Sequence, residues 1–315
     1  MKKKIFIDGS EGTTGLRIFE RFEHRDDIEL LKIPSDSRKD PAVIKQFIHN
    51  SDITFLCLPD AAAREAVALS EDEDTILIDT STAHRTEPGW AYGYPELSPA
   101  HREAIRTGRR IAVPGCHATG FITLVYPMIA NGILPADYPV SAFSLTGYSG
   151  GGKKMIAEYK GEGRSQELLS PRQYGLSQKH KHLKEMKAVT GLTREPLFSP
   201  IVADYYSGML VSVPLCAQML NGAPDPASIH AMFEQHFAGE PFVRVMPFGA
   251  EAESGNFLGS NNRSGWDGIE IFVTGNEERI LLSSRFDNLG KGASGAAIQC
   301  LNIVLGCEET RGLYL

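Results

Sequence analysis

Basic charge is in short supply in this chain of 315 residues, where 32 Lys and Arg stand against 39 Asp and Glu for a formal net charge of -7. No basic stripe offsets that balance, so nucleic acid and anionic membrane are not expected partners. Long apolar runs are missing as well. The longest, around Ile122 to Ala130, is interrupted by Pro127 and falls short of the roughly 18 residues of a membrane span. Cysteine is sparse: Cys57, Cys116, Cys216, Cys300 and Cys307 are odd in number, scattered and without a C-x-x-C pair. That pattern argues against a disulfide framework and makes a reducing cytoplasm the expected compartment. Cys57, Cys216 and Cys300 lie in apolar runs and read as small buried core residues. Internal repeats and low-complexity linkers are absent too, which excludes solenoids and loosely tethered domains. Lys2, Lys3 and Lys4 resemble the start of a signal peptide, but only Ile5, Phe6 and Ile7 follow before Asp8 and Gly9, so the segment reads as a first strand.

What is present is ordinary globular composition, 42% hydrophobic and 23% charged, in a chain long enough for two domains. Strand-length apolar segments recur in the first third, at Lys4 to Ile7, Ile28 to Ile33, Ile53 to Leu58, Thr75 to Ile78 and Ile111 to Val113. Polar or helix-compatible stretches separate the first three, the pattern of a parallel sheet with crossovers. The second half is punctuated by Pro and Gly, and its apolar segments predict a mixed or antiparallel sheet: Val140 to Leu145, Met209 to Leu215, Phe242 to Met246, Gly268 to Val273 and Ile280 to Ser284. Asp225 and Pro226 form an N-cap and N1 pair before a helix with Ile229, Met232 and Phe233 on one face. Ala296, Ile298, Leu301, Val304 and Leu305 predict a last helix with one apolar face, after the glycine-rich turn Gly290 to Gly295.

The first strand runs into Gly9-x-x-Gly12-x-x-Gly15, with Thr13 inside the loop, and an amphipathic stretch with Leu16, Phe19 and Phe22 follows. Strand, glycine turn and helix in that order form a variant dinucleotide fingerprint, in which backbone N–H groups and the helix start face a pyrophosphate. About 20 residues on, Ser35-Asp36-Ser37-Arg38-Lys39 stands where such a domain selects its ribose. Asp36 suits the free hydroxyl of NAD, whereas Ser35, Ser37, Arg38 and Lys39 suit the 2′-phosphate of NADP; the cations and hydroxyls predict NADP(H).

Ile111-Ala112-Val113-Pro114-Gly115-Cys116 places a strand, a turn and then a thiol at the start of an apolar helix. Helix-start N–H groups favour the thiolate, so Cys116 is a candidate nucleophile, against the alternative of a buried structural thiol. His180 and His182 are candidate acid and base groups downstream, among lysines that suit an anionic substrate. Two histidines at i, i+2 without further ligands do not predict a metal site.

Together these motifs resemble the N-acetyl-gamma-glutamyl-phosphate reductase family of the semialdehyde dehydrogenase superfamily. The resemblance spans nearly the whole chain. Besides the glycine loop, it rests on Tyr94-Pro95-Glu96-Leu97, Pro114-Gly115-Cys116, Gly147-Tyr148-Ser149-Gly150-Gly151-Gly152-Lys153, His180-Lys181-His182 and Asp287-Asn288-Leu289-Gly290-Lys291-Gly292. It implies an α/β protein with a Rossmann dinucleotide-binding domain, residues 1–117 with 297–315. An α+β catalytic and oligomerisation domain with a mixed sheet, residues 118–296, would complete the chain. It further implies a homo-oligomer, dimer or tetramer, acting on a small acyl phosphate in arginine biosynthesis. Cys116 would attack N-acetyl-glutamyl phosphate, and NADPH would reduce the resulting thioester to the semialdehyde. His180 would be the acid and base, with Glu185 and Tyr174 supporting it. Ser149 and Lys153 would lie near the substrate, and Asn288, Gly290 and Lys291 beside the nicotinamide. The chain departs from the common form of the family, with Cys116-His117-Ala118-Thr119 in place of Cys-Tyr-Pro-Thr, Ser149-Gly150-Gly151-Gly152-Lys153 in place of Ser-Gly-Ala-Gly-Arg, and no arginine before Gly208. These features fit the family's shorter branch. Three alternatives stay open: the same chemistry on aspartyl or carrier-linked amino-adipyl phosphate, a CoA-dependent acylating dehydrogenase, or a non-catalytic NADP-binding sensor.

Overall fold

Ile5, Phe6, Ile7 and Asp8 are buried in succession in the first strand, as expected where both faces of a parallel sheet are covered. In the computed structural model, which describes residues 2–70 and 74–315, the chain divides into two units. One comprises Met1–Gly115 and Ala293–Leu313, the other Cys116–Gly292 and Tyr314–Leu315.

The first unit runs β1 Lys3–Asp8, α1 Thr13–Phe22, β2 Ile28–Leu31, α2 Pro41–His49, β3 Ile53–Leu56, α3 Asp60–Leu69, β4 Ile76–Asp79, β5 Ala91–Tyr92, α4 Pro99–Thr107 and β6 Arg110–Ala112. All its strand pairs are parallel, in the order β2-β1-β3-β4-β6-β5. The order therefore turns at β1 and β3, and ligands of open α/β sheets sit beyond the carboxyl ends of such strands. Helix α1 buries Gly15, Ile18 and Phe22. Leu16, expected on that apolar side, is instead exposed, because residues two apart on a helix point to opposite sides. The last helix, Gly295–Leu305, packs into this unit and is buried continuously from Gly295 to Ile303. The single apolar face expected from its pattern is thus corrected to a helix covered all round. Its polar residues are bonded inside: Gln299 Nε2 donates to Glu96 Oε1 at 2.8 Å, and Asn302 Oδ1 accepts from Arg25 at 2.6 Å.

The second unit comprises α5 Cys116–Ala130, β7 Ser141–Gly147, α6 Gly152–Lys160, β8 Arg172–Gln173, α7 His182–Thr190, β9 Leu197–Ala203, β10 Met209–Cys216, α8 Pro226–His236, β11 Val243–Val245, β12 Ile269–Gly275 and β13 Arg279–Phe286. Its sheet is mixed, in the order β11-β12-β13-β10-β7-β9-β8, parallel at β11/β12 and β7/β9 and antiparallel elsewhere. Strand β9 escapes the sequence pattern because Pro200 stands in its middle, and proline reads as a breaker. The sheet tolerates it beside β8, an edge strand of two residues. Cys216 also departs from expectation: it ends β10 and is exposed, since the strand's alternation buries Met209, Val211, Val213 and Leu215 and turns position 216 outward. Helix α8 is capped as its sequence predicts, with Asp225 Oδ1 accepting from Ser228 N at 2.7 Å and Ile229 and Phe233 buried.

Candidate active site

The glycine loop of the first unit is closed by Gly12 N donating to Gly9 O at 2.9 Å. Gly9 has a φ of +83°, and a Cβ there would lie 2.3 Å from the Cys57 carbonyl oxygen, so the turn from β1 requires glycine. At Gly15 a Cβ would lie 2.4 Å from the Gly9 oxygen, so this position lets α1 close on the loop. Gly12 is the N-cap of α1 and no side chain caps it, so Thr13 opens a helix whose first N–H groups face outward from a narrow glycine turn. That is the environment a pyrophosphate requires. In the turn after β2, Ser35, Asp36, Arg38 and Lys39 are exposed; Ser37 Oγ donates to Asp36 Oδ1 at 3.1 Å and Arg38 pairs with Glu11.

In the second unit, Cys116 is the first residue of α5. The loop after β13 lies against it: a Cβ on Gly292 would come within 2.9 Å of Cys116 Cβ, so only glycine lets that backbone so close. The same loop is tied to Ser149 through Asn288, whose Oδ1 accepts from Gly208 N at 2.9 Å and whose Nδ2 donates to Ser149 Oγ at 3.0 Å. Gly290 passes the Trp266 carbonyl where a side chain would clash, and Lys291 is buried with Nζ 5.0 Å from the centre of the Phe242 ring. Asn288 thus ties the loop that passes Cys116 to Gly208 and Ser149. Lys153 is exposed on α6.

A cluster of aromatic and imidazole rings forms beside Cys116. Tyr174 follows β8, and its N–H continues the pairing with the Pro200 carbonyl at 3.0 Å. Gln178 then clamps β9 through both ends of its amide, donating to Phe198 O at 2.7 Å and accepting from Phe198 N at 3.0 Å. Sequence inspection passed over this residue, although a polar amide two positions before His180 was its one local signal. His180 is half-buried, and its Nδ1 accepts from the His182 backbone N–H at 3.2 Å. The neutral ring therefore carries its proton on Nε2. Burial, and then the charge of Lys181, lower its pKa to about 4. His182 and Glu185 are both buried on α7.

His117 is a second residue of the cluster that the sequence pattern does not single out. It is buried, with Nδ1 2.7 Å from Ser144 Oγ and Nε2 2.6 Å from the Tyr174 hydroxyl. Its ring packs edge-on to His180 at 5.4 Å and to Phe198 at 5.3 Å. Burial, and then the neighbouring His180 charge, lower its pKa from the ordinary histidine value to about 3. A base whose pKa falls on folding stabilises the fold fully above its unfolded value and loses that contribution as pH drops toward the folded one. Acidification from pH 6.5 to pH 5 is therefore expected to remove roughly 2 kcal/mol through His117. In urea titrations, His117→Gln should show a correspondingly shallower fall in unfolding midpoint over that range; an unaltered fall would place the charge penalty elsewhere.

Among the described residues no helix is long and apolar enough to cross a membrane, and no group of three or more side chains could hold a metal ion. Two family profiles match successive parts of the chain. The family profile "Semialdehyde dehydrogenase, NAD binding domain" matches residues 4–106, and "Semialdehyde dehydrogenase, dimerisation domain" matches residues 116–288. The chain is 45% identical over 320 aligned residues to a protein of Nostoc sp. named N-acetyl-gamma-glutamyl-phosphate reductase 2, covering 99% of each. It is also 45% identical to the N-acetyl-gamma-glutamyl-phosphate reductase of Brucella ovis, over 97% of this chain and 100% of that one. Among solved structures, aspartate semialdehyde dehydrogenase II of Vibrio cholerae shares the fold with a TM-score of 0.74 at 15% identity, covering 97% of this chain and 99% of its own. Aspartate semialdehyde dehydrogenase of Candida albicans with NADP gives a TM-score of 0.64 at 13% identity, covering 97% and 99%. The chain belongs to the semialdehyde dehydrogenase family, in the branch of the N-acetyl-gamma-glutamyl-phosphate reductases.

Proposed function

We propose that this enzyme reduces N-acetyl-glutamyl 5-phosphate to N-acetyl-glutamate 5-semialdehyde and phosphate with NADPH, in arginine biosynthesis. The observation that carries this is Cys116 at the first turn of α5, beside the His117, Tyr174 and His180 cluster, in a chain 45% identical over its length to relatives of that name. The Cys116 sulfur, favoured as thiolate by the helix start, attacks the acyl carbon; an S–C bond forms and phosphate leaves. NADPH, when bound, supplies the hydride that reduces the thioester. His180, neutral at physiological pH and bearing its proton on Nε2, donates that N–H as a hydrogen bond to the oxyanion left by hydride addition; as the electron pair returns to re-form C=O the C–S bond breaks, which releases the aldehyde and restores the thiolate. Glu185 and Tyr174 support His180, and Ser149 and Lys153 receive the substrate's anionic groups. All five cysteines are thiols, which suits a cytoplasmic enzyme.

The unit with the glycine loop binds NADP(H) through Gly9, Gly12, Thr13 and Gly15, with Ser35 and Arg38 at the 2′-phosphate. Arg38→Ala is expected to weaken NADP binding about tenfold while leaving NAD binding nearly unchanged, as a lost charge-assisted contact would. Fluorescence titration with both cofactors checks this, and equal effects on the two would remove Arg38 from the phosphate site.

The enzyme assembles as a homo-oligomer. One side of its mixed sheet presents Phe143, Leu197 and Leu281, exposed by 48%, 64% and 38%, a face that a second copy would cover. Phe143→Glu is expected to shift sedimentation toward a smaller species; an unchanged profile would place the interface elsewhere.

The decisive assay runs the reaction in reverse, following NADP reduction with N-acetyl-glutamate semialdehyde, with and without inorganic phosphate, and with aspartate semialdehyde as control. Phosphate-dependent oxidation of the acetylated semialdehyde alone, with matching reduction of NADP, is expected. Activity confined to aspartate semialdehyde would overturn the substrate, and silence with both would overturn the reaction.

A further inference from the structure

Ser144 sits in β7 with no exposed surface, and its hydroxyl has a single hydrogen-bond partner, His117 Nδ1. A hydroxyl carries one proton to donate. If Nδ1 held the imidazole proton, the Ser144 proton would be buried without an acceptor, at a cost of about 1–3 kcal/mol. The satisfied arrangement has Ser144 donating to Nδ1 and the imidazole proton on Nε2, from which it is donated to the Tyr174 oxygen 2.6 Å away. The Tyr174 hydroxyl then keeps its own proton for a third group. The free donor of the chain thus falls on the half-buried tyrosine, which has an open side, rather than on the enclosed serine.

We infer that His117 is a positioning residue: by donating to the Tyr174 oxygen it turns the phenol proton toward the acyl oxygen of the group bonded to Cys116. Residues 116 and 117 are consecutive in the first turn of α5, so the ring that orients Tyr174 is fixed to the nucleophile's own backbone. Burial, and then the negative charge of Cys116, hold the phenol protonated, which keeps it a donor when the thiolate is formed. As the sulfur attacks, the carbonyl π pair moves onto oxygen, and the Tyr174 O–H stabilises that charge until the pair returns and the leaving group departs. The inference rests on Cys116 being the acyl nucleophile, but not on the identity of the acyl phosphate.

The test compares two reactions of Cys116 that need neither cofactor nor natural substrate. p-Nitrophenyl acetate acylates the thiolate through an oxyanion and expels p-nitrophenolate; iodoacetamide alkylates it by displacing iodide, with no oxyanion. Tyr174→Phe and His117→Asn are expected to slow acylation about 10- to 100-fold relative to alkylation. The double variant should be no slower than Tyr174→Phe alone. His117→Gln should recover most of the loss, because its amide Nε2 lies the same number of bonds from Cα as the imidazole Nε2. Acylation and alkylation falling together, or acylation unaffected by Tyr174→Phe, would overturn the inference. A measurement on the unaltered enzyme guards against variants that misfold: ¹⁵N chemical shifts should report His117 neutral at pH 7 with its proton on Nε2, and a proton on Nδ1 would overturn it. Wild-type enzyme that is inert toward N-acetyl-glutamyl phosphate, yet shows the acylation split, would refute the proposed substrate and leave this inference standing.

Discussion

Cys116→Ser is expected to reduce turnover by about 10⁴-fold or more, to the level of background, while NADP binding changes less than about twofold. A serine hydroxyl at this position has no thiolate counterpart at neutral pH, so neither the acyl-enzyme nor the thiohemiacetal forms. The glycines proposed to cradle the cofactor lie in the other unit, on the turn after β1, and the substitution touches none of them. Single-turnover measurements with cofactor titration separate the two quantities. Substantial residual turnover would rule out the covalent route; a parallel collapse of NADP binding would mean that the variant is damaged beyond its nucleophile. Inertness of wild-type Cys116 to iodoacetamide with intact NADP binding would instead support a non-catalytic binding protein.

His180→Asn is expected to lower kcat by about 10²- to 10⁴-fold, the range for a lost general acid or base, with a much smaller change in KM. The acid limb of the wild-type pH profile should lie near pH 4, where burial and Lys181 place the His180 pKa, instead of near the usual value for histidine. That limb should vanish in the variant. His182→Asn supplies the contrast. His182 is buried at the start of α7 and its backbone N–H supports His180 Nδ1, so changing its side chain should leave the limb in place. If His182→Asn removes the limb and His180→Asn does not, the acid and base roles belong to the second histidine of the pair.

These two expectations rest on residues that were visible before any fold was known, whereas the third member of the cluster was not. Gly9, Gly12 and Gly15 announce themselves because a tight turn between a strand and a helix imposes local spacing. Cys116 is legible for the same reason, standing between a Pro-Gly turn and an apolar helix. The parallel first sheet and the mixed second sheet follow from short apolar runs and from the change in Pro and Gly punctuation. Where periodicity is the only guide it misleads: the apolar spacing puts Leu16 on the inner side of α1, where the structure exposes it, and Pro200 hides β9.

The sequence by itself determined the order of the elements, the glycine turn after β1 and the thiol at the start of α5, because each depends on contacts between residues a few positions apart. Only the tertiary structure decided the environment of that thiol. His117 meets Ser144 from 27 residues away and Tyr174 from 57, and Gly292 closes on Cys116 across most of the second unit. The all-round burial of the last helix was decided in the same way. No local spacing encodes such meetings. They arise when packed helices and strands bring distant side chains within hydrogen-bond reach, and the loss of water there determines which groups hold a proton.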